Sequence, residues 1–383
     1  MSQALFTTVF ASIFYVAKVA INDRSIANGL YTVIKKQLHG KPIPFTSSKA
    51  LDGLLTMLVR FFQPILTGKD PALTLFCVFM VGQVLALHVL VQLEGMRAGN
   101  RGKLISYTTY WGFGWQLCTV GITMPLYFLL YIYTSAIPAA AGPGAFAAAI
   151  SVDPVQARAV LWSTALGAGL PTLLAALPPP RVVAPRTSEI FLAAWQAFPL
   201  WTCAAQLAAS RAIAFFRVVP RAGTPAAAWS STRKELGRVY ASVLPVVALI
   251  SCGALGYAFR APGPTAVLLR HMFVPPPPFS RVRMASLERG VLSLLQWDMY
   301  CASMATWAWV TYVAYQRKGA RGAAADLGKL VMWTPVVGPA GAALAVVWER
   351  DVEALKEVCE KKDVGEKKEV GEKKEVGEEK KTK

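Results

Sequence analysis

Two acidic side chains lie in or at the end of long apolar segments of this sequence. Glu94 closes the apolar run 87–93, and Asp298 stands inside the run 294–300. An ionisable group at the centre of a bilayer costs at least about 2.5–3.5 kcal/mol, so a functional role is the default hypothesis. Asp298 has no basic residue within a helical turn, so either another helix supplies a partner or burial keeps it protonated. General-acid chemistry requires a carboxylic acid of the latter kind.

Glu94 has a basic residue close by, which leaves its role open. Arg97 follows one helical turn later, and the two side chains can form an ordinary ion pair at the membrane surface. Arg97, Asn100 and Arg101 can position the acid or a polar head group of a substrate. Equally, the two arginines can anchor the end of the helix at lipid phosphates.

Aromatic and amide side chains accumulate in the same apolar segments as the two acids. Trp111 and Trp115 share one helix face, and Trp297 and Tyr300 share another. For any single ring, packing at the lipid surface is the alternative. Together, however, rings and a few polar groups suit an apolar substrate or a developing cation. We therefore predict a substrate site that contains Trp111, Trp115, Gln116, Gln196, Trp297, Tyr300, Arg97 and Asn100.

Several other chemistries lack a signal in the sequence. The chain has 3 histidines and no H-E-x-x-H motif, which are too few ligands for a membrane di-iron enzyme. It contains neither a Walker A motif nor an aspartate-rich diphosphate motif. If the protein is an enzyme, we expect metal-independent chemistry, with no metal site and no cofactor.

The elements that position these residues are predicted to be membrane helices. The 383 residues are 54% hydrophobic and 16% charged, whereas soluble domains carry about 25% charged residues. Apolar runs of about 20 residues, the length that crosses a bilayer, recur along the chain. We predict an all-α, polytopic membrane helix bundle with about eight transmembrane helices, at 5–21, 71–93, 105–134, 157–177, 189–210, 238–259, 290–315 and 329–348.

Charge divides the chain into two predicted regions. Residues 1–348 contain 10 acidic and 29 basic residues and form the transmembrane domain, whereas residues 349–383 contain 12 acidic and 11 basic residues. The net charge of +18 therefore belongs to membrane flanks, and no nucleic-acid partner is expected. Six-residue repeats with a Gly in each unit oppose helix and indicate a disordered tail. The apolar segment 51–66 carries Asp52, Arg60 and Pro64, and its status as a span stays open.

Short motifs between residues 71 and 351 resemble a known family. The chain is similar to fungal integral-membrane terpene cyclases of meroterpenoid pathways, such as those of ascochlorin and ascofuranone, with relatives in indole-diterpene clusters. This resemblance implies cyclisation of a prenyl chain, commonly after epoxidation of its terminal double bond, by acid attack on the epoxide. Which carboxylate acts is left open by the motifs. They are Glu94–Arg101, Trp111 with Trp115-Gln116, Gly121–Phe128, Trp195–Pro199, Gly338–Gly341 and Trp348–Asp351.

The favoured hypothesis is a terpene cyclase of the endoplasmic-reticulum membrane. Asp298 or Glu94 protonates a prenyl or epoxy-prenyl chain, with Asp298 as the first choice, and aromatic rings shield the carbocation. The expected partners are a hydrophobic prenylated or epoxidised small molecule and membrane lipids. Two alternatives remain: a proton-coupled transporter of a small apolar metabolite, and a non-catalytic membrane scaffold.

Overall fold

A computed structural model describes residues 2–37, 42–220 and 224–379 of the chain. Every regular element within these residues is helical, as predicted. Short π-helical or 3-10 turns lie at Lys18–Asp23, Ala98–Asn100, Leu104–Ser106 and Thr164–Gly169. The α-helices are α1 Ser2–Ala17, α2 Arg24–Ala27, α3 Leu30–Gln37, α4 Lys49–Leu66, α5 Pro71–Met96, α6 Thr108–Cys118, α7 Val120–Thr134, α8 Pro143–Ile150, α9 Pro154–Ser163, α10 Leu170–Ala175, α11 Pro185–Trp195, α12 Phe198–Phe215, α13 Pro225–Arg260, α14 Thr265–Phe273 and α15 Leu287–Glu379.

Fewer helices than the eight predicted are long and apolar enough to cross a membrane. In the described residues, four helices meet that test: Gln3–Ala27, Pro71–Met96, Ala227–Arg260 and Leu287–Val358. A fifth is added if α11 and α12, which are bent by 66° relative to each other, count as one span. The all-helical fold is therefore confirmed, and the four or five candidate spans in the described residues are fewer than the eight predicted.

Backbone breaks explain why some predicted spans are not single helices. The predicted span 105–134 divides into α6 and α7 at Thr119, whose φ of 76° ends an α-helix. The predicted span 157–177 becomes α9, a π-helical turn and α10. Hydropathy does not register such breaks, because it averages side-chain polarity and contains no information on φ angles.

The last helix is also broken, at Gly338 within the predicted span 329–348. Gly338 has a φ of 71° and a ψ of 173°, a conformation that is open essentially to glycine alone. Gln83 of α5 bonds the backbone groups that the break releases. Its Nε2 donates to the carbonyl of Val337 at 3.2 Å, and its Oε1 accepts from the Ala340 N–H at 3.0 Å. The break is therefore bonded internally, as an apolar environment requires.

The main core lies where α15 packs against α5, α7 and α13. Glu94, near the end of α5, therefore lies where α5, α7, α13 and α15 meet. The segment 51–66, whose status as a membrane span the sequence leaves undecided, lies in α4. This helix is not among those that meet the membrane-span test. Val59 of α4 packs instead in a small separate cluster with Leu192 and Ala193 of α11.

The predicted domain boundary after residue 348 lies too early. The helix continues through it, and Asp351, Ala354, Leu355 and Val358 are buried, the last three in the main core. The many charged residues from Glu349 onward favoured assigning this segment to the tail. Its apolar residues Ala354, Leu355 and Val358 nevertheless pack in the main core. The helical backbone runs to Glu379 and includes the repeats, whose glycines were expected to oppose helix. The last four residues of the predicted tail, 380–383, lie outside the described residues.

Candidate active site

The end of α5 carries Glu94 into the interior of the protein. Asp70 caps the start of α5 by accepting hydrogen bonds from the N–H groups of Ala72 and Leu73. The helix ends at Met96, because Arg97 takes an extended conformation with a ψ of 142°. Glu94 and Arg97 are both fully buried. Their burial excludes the simple ion pair at the membrane surface that the sequence left open.

Four charged side chains form a buried network, which we call the acid–arginine cluster: Glu94, Arg97, Arg350 and Asp351. Arg97 Nε lies 2.6 Å from Glu94 Oε1, and its Nη2 lies 2.8 Å from Asp351 Oδ2. Arg350 Nη2 lies 2.9 Å from both Glu94 Oε1 and Asp351 Oδ1. Each arginine thus bridges both acids, which are 257 positions apart in the sequence.

Neutral polar groups complete the cluster. Tyr131 donates its hydroxyl hydrogen to Glu94 Oε2 at 3.1 Å, and Tyr240 donates to Asp351 Oδ2 at 2.6 Å. Asn100 Nδ2 donates to the backbone carbonyl of Glu94 at 2.7 Å. Burial lowers the pKa of Arg97, but the adjacent Asp351 and Glu94 outweigh it and hold that pKa well above its ordinary value. Arg97 is therefore a permanent cation, which requires an anion beside it.

A row of aromatic rings leads away from the cluster. The ring of Tyr131 lies 5.4 Å from that of Trp309, which stacks on Phe128 at 5.0 Å. Tyr127 contacts Phe128 at 5.2 Å and Trp111 at 5.2 Å. Trp115 follows Trp111 by four positions on the same face of α6. The rings thus extend from the acid–arginine cluster along α7 to α6.

Trp115, at the end of the row away from the acid–arginine cluster, borders a cavity of about 250 Å³ between α5, α6, α9 and α12. It is close in size to small-molecule pockets, which start at about 300 Å³. Neither Glu94 nor Asp298 is among the described residues that line it. Glu94 is about 200° around α5 from Gln92 and from Met96 and faces the opposite side. The lining residues are His88, Val91, Gln92, Met96, Thr108, Thr109, Gly112, Trp115, Gln156, Phe198, Pro199, Thr202, Cys203, Gln206, Leu207 and Ser210.

Asp298, the first choice from the sequence, lies apart from the acid–arginine cluster. Its buried carboxylate accepts a hydrogen bond from the backbone N–H of Gly121, in the first turn of α7. The residue before α7, Thr119, provides no side-chain cap. Asp298 therefore supplies the cap from a different helix, and a carboxylate at a helix N-terminus is favourable. The Gly121 N–H is therefore a partner from another helix, one of the two possibilities that the sequence allowed for Asp298.

The other predicted site residues lie in several places. Arg97 and Asn100 join Glu94 in the cluster, whereas Trp111 and Trp115 belong to the aromatic row. Trp297 donates instead to the carbonyl of Pro276, just after α14, and Tyr300 donates to that of Phe273, the last residue of α14. Gln196 lies at the bend between α11 and α12, where its Nε2 donates to Leu192. Gln116 has a buried amide nitrogen without a partner in the described chain.

The predicted site residues omitted the two tyrosines that bond to the cluster, Tyr131 and Tyr240, and two of its four members, Arg350 and Asp351. A signal existed for the last two, because an Arg-Asp pair stands one residue beyond a long apolar run, after Glu349, and belongs to one of the family motifs. The abundance of charged residues from Glu349 onward hid it. The two tyrosines had no signal, since their partners lie on other helices.

Comparison with known proteins agrees with the resemblance. The chain matches the CtvD domain model over residues 6–355. It belongs to the CtvD-domain family. Terpene cyclase ascI of Acremonium egyptiacum is 32% identical over 332 residues, which cover 84% of this chain and 83% of the relative. Terpene cyclase janA of Penicillium janthinellum is 28% identical over 328 residues, which cover 83% and 85% of the two chains. No solved structure matches the chain.

The extent of the family match bears on the site. The matched region of this CtvD-domain protein ends at residue 355 and so includes the whole acid–arginine cluster. It ends before the repeats that begin near residue 361. Within the described residues, no group of three or more His, Cys, Asp or Glu side chains could hold a metal ion. That the protein needs no metal stays a prediction.

Proposed function

We propose that this CtvD-domain protein is a terpene cyclase of the endoplasmic-reticulum membrane that uses neither a metal nor a cofactor. Its substrate is a small molecule with a prenyl or epoxy-prenyl chain. The names of the relatives and the family match support the reaction class. The observation that carries the proposal is the acid–arginine cluster, because two buried carboxylates beside a row of aromatic rings suit acid-initiated carbocation chemistry.

The proposed reaction moves one proton into and out of the substrate. The protonated form of Glu94 gives its proton to the epoxide oxygen through the Tyr131 hydroxyl, which leaves the Glu94 carboxylate beside Arg97 and Arg350. The bond from oxygen to the more substituted carbon breaks. Its electron pair stays on the oxygen, which becomes a hydroxyl group, and a carbocation forms at that carbon. A double bond of the chain attacks the cation and closes a ring. Loss of a proton from the last cation returns the proton to the cluster, so the product is an isomer of the substrate.

Glu94 is the proposed acid, with Tyr131 as its route to the substrate. A hydroxyl group can both donate and accept hydrogen bonds, and the Tyr131 hydroxyl contacts Glu94 Oε2. Its ring lies against Trp309, one of the rings proposed to face the substrate. Asp298 is the less favourable choice, since its carboxylate caps α7. This reverses the order that the sequence suggested.

The aromatic row is proposed to stabilise the cation. Ring faces attract a cation with about 0.5–2 kcal/mol each, the larger values applying away from water. Trp309 already lies 5.8 Å from the guanidinium carbon of Arg350, measured to the ring centroid. Trp111, Tyr127 and Phe128 continue this row of rings beyond Trp309.

The experiment is expression in a host that lacks the pathway, with the protein supplied in membranes. A farnesylated phenol with a terminal epoxide, the same compound without the epoxide, and farnesyl diphosphate are offered in parallel. We expect a cyclised product of unchanged mass from the epoxide, with equal yield in excess chelator. Strong dependence on added magnesium, or conversion of the diphosphate alone, would contradict the proposal. Uptake into vesicles without conversion would favour a transporter instead, and a fluorescent fusion tests the location in the endoplasmic reticulum.

A further inference from the structure

The cavity bordered by Trp115 contains two kinds of polar side chain. Gln92 is bonded within the protein: its Nε2 donates to Ser163 at 2.9 Å, and its Oε1 accepts from Thr164 at 3.4 Å. Four other buried polar atoms of the wall have no partner in the described chain: His88 Nε2, Trp115 Nε1, Thr202 Oγ1 and Gln206 Oε1. Trp115, Thr202 and Gln206 are each at least nine-tenths buried. Unpartnered buried polar atoms are costly, which points to a ligand that bonds them.

These atoms define the chemistry of that ligand. Trp115 Nε1 can only donate a hydrogen bond and Gln206 Oε1 can only accept one, so the ligand must both accept and donate. No lysine, arginine or acidic residue is found among the described residues of the wall. A charged group such as a diphosphate would therefore remain unpaired. Phe198, Pro199 and Leu207 supply apolar contacts around the polar atoms.

The wall is held in place before any ligand binds. A Cβ on Gly167 would lie 2.3 Å from the Cα of Thr202, so the π-helical turn at Thr164–Gly169 packs directly on α12. A Cβ on Gly112 would lie 2.9 Å from the ring of Pro199, so α6 packs equally closely on α12. The glycines permit this close approach, and Thr202 and Trp115 consequently keep fixed positions. Fixed polar groups reduce the ordering cost of binding.

We propose that this cavity binds an uncharged, hydroxyl-bearing head group of the substrate, with Thr202 and Gln206 determining specificity. This inference rests on the proposed function. With the head group in the cavity, the prenyl chain begins at Trp115, the end of the aromatic row that borders the cavity. The row of rings then links the two sites on opposite sides of α5. The head group thus sets which end of the chain reaches Glu94.

The test measures binding to the purified full-length protein in detergent micelles. The probes are 4-farnesylphenol, farnesylbenzene, which lacks the hydroxyl group, and farnesyl diphosphate. We expect the phenol to bind the parent about tenfold more tightly than farnesylbenzene, since a hydrogen bond is worth about 1 kcal/mol or more where the alternative is an unpaired buried group. Farnesyl diphosphate should bind no better than farnesylbenzene.

Two nearly isosteric variants and one control locate the effect. Thr202→Val and Gln206→Leu should each weaken phenol binding about fivefold to tenfold and leave farnesylbenzene binding unchanged. Ser210→Ala is the control, because Ser210 lines the same cavity but its hydroxyl already donates to Leu207. Equal affinities of the parent for phenol and farnesylbenzene, or variants that weaken both probes alike, would overturn the inference. If either variant fails to fold, the comparison of probes on the parent still decides.

Activity separates this inference from the proposed function. Glu94→Gln should lower cyclisation by about 10²–10⁴-fold, whereas its folded fraction should bind the phenol as the parent does. Hydroxyl-dependent binding in a parent protein that cyclises none of the substrates offered would support the cavity assignment and refute the proposed reaction. Cyclisation with no preference for the hydroxyl group would do the reverse.

Discussion

At the residue scale, Glu94 differs from an ordinary buried acid because it belongs to a balanced set of charges. Two guanidiniums face two carboxylates, and hydroxyl groups bond the remaining oxygen atoms. Removing one partner of a buried ion pair costs about 3–5 kcal/mol, because it leaves an uncompensated charge. A loss of activity in a single variant therefore has two causes to separate, chemistry and folding.

We predict that Glu94→Gln lowers cyclisation by about 10²–10⁴-fold, the usual contribution of a general acid. Product formed per amount of folded protein is the measurement. The double variant Glu94→Gln with Arg350→Gln removes one charge of each sign and restores the balance. Its expression and thermal midpoint should recover towards those of the parent, while activity stays low. Recovery of activity in the double variant would show that Glu94 has a structural role only.

Asp298 leads to a different prediction. Asparagine also caps helices, so Asp298→Asn should keep the hydrogen bond from Gly121 and most of the activity, within about threefold. Asp298→Ala should lose the cap and about 1 kcal/mol of stability. Thermal midpoints and turnover of both variants provide the check. A loss of 10²-fold or more in Asp298→Asn, at normal protein level, would restore Asp298 as the acid.

Among the elements, α15 is broken at two glycines, Gly319 and Gly338. Gly338 and Gly319 share a backbone conformation that costs other residues about 1–3 kcal/mol. A Cβ at Gly338 would in addition lie 2.2 Å from Gln83 Nε2, whereas a Cβ at Gly319 would meet nothing within 4 Å. The two positions form a matched pair.

We therefore predict that Gly338→Ala lowers the thermal midpoint more than Gly319→Ala does. The excess arises from the displaced Gln83, which would leave the backbone groups of Val337 and Ala340 unbonded. Thermal unfolding of both variants in the same detergent measures it. Equal midpoints would contradict this role of Gln83 at the break.

The loop before α4 offers a pH-dependent prediction. Asp52 accepts hydrogen bonds from the N–H groups of Phe45 and Thr46 and from the Thr46 hydroxyl. Burial raises the pKa of Asp52, but the bonds from Thr46 and Phe45 outweigh it and hold that pKa below its ordinary value. A lowered pKa in the folded state stabilises the loop above the unfolded value of about 3.9, and the stabilisation is lost as pH falls below it.

Hydrogen exchange of residues 42–48 should accordingly lose protection below about pH 4, after correction for the intrinsic rate. The loop after α7 is an internal control, because Ala136 and Ala140 donate to backbone carbonyls there. Asp52→Ala should show the exposed loop already at neutral pH. Protection that is independent of pH in the parent would contradict this role of Asp52.

In the molecule as a whole, the C-terminal region consists of a segment that packs in the core, up to Val358, and the repeats that follow it. Residues up to Val358 pack in the core and include Arg350 and Asp351 of the cluster. We predict that truncation after Val358 leaves activity within a few-fold, whereas truncation after Trp348 abolishes it and lowers protein level. Activity and abundance in membranes distinguish the two truncations. Loss of activity at normal abundance after the shorter deletion would assign the repeats a function.

The class of the molecule follows from its amino-acid sequence. Its apolar runs and low charge required an all-helical membrane-type fold, because side-chain polarity alone decides which segments can be buried in lipid. Its short motifs identified the family, which the match over residues 6–355 confirms. Glu94 and Arg97 could also be recognised from the sequence, since they are charged residues at the end of a long apolar run.

The breaks in the helices and the contacts of each acid depend on how the helices pack in three dimensions. The φ angles at Thr119 and Gly338 depend on what packs against them, and hydropathy contains no such information. Asp351 was assigned to the tail by composition, yet it meets Arg97 across 254 positions of the sequence. Asp298 had no visible partner until Gly121 of another helix came beside it. Contacts between residues that are distant in the sequence form only when the whole chain packs. The sequence pattern therefore does not reveal them, although they determine the geometry of the site.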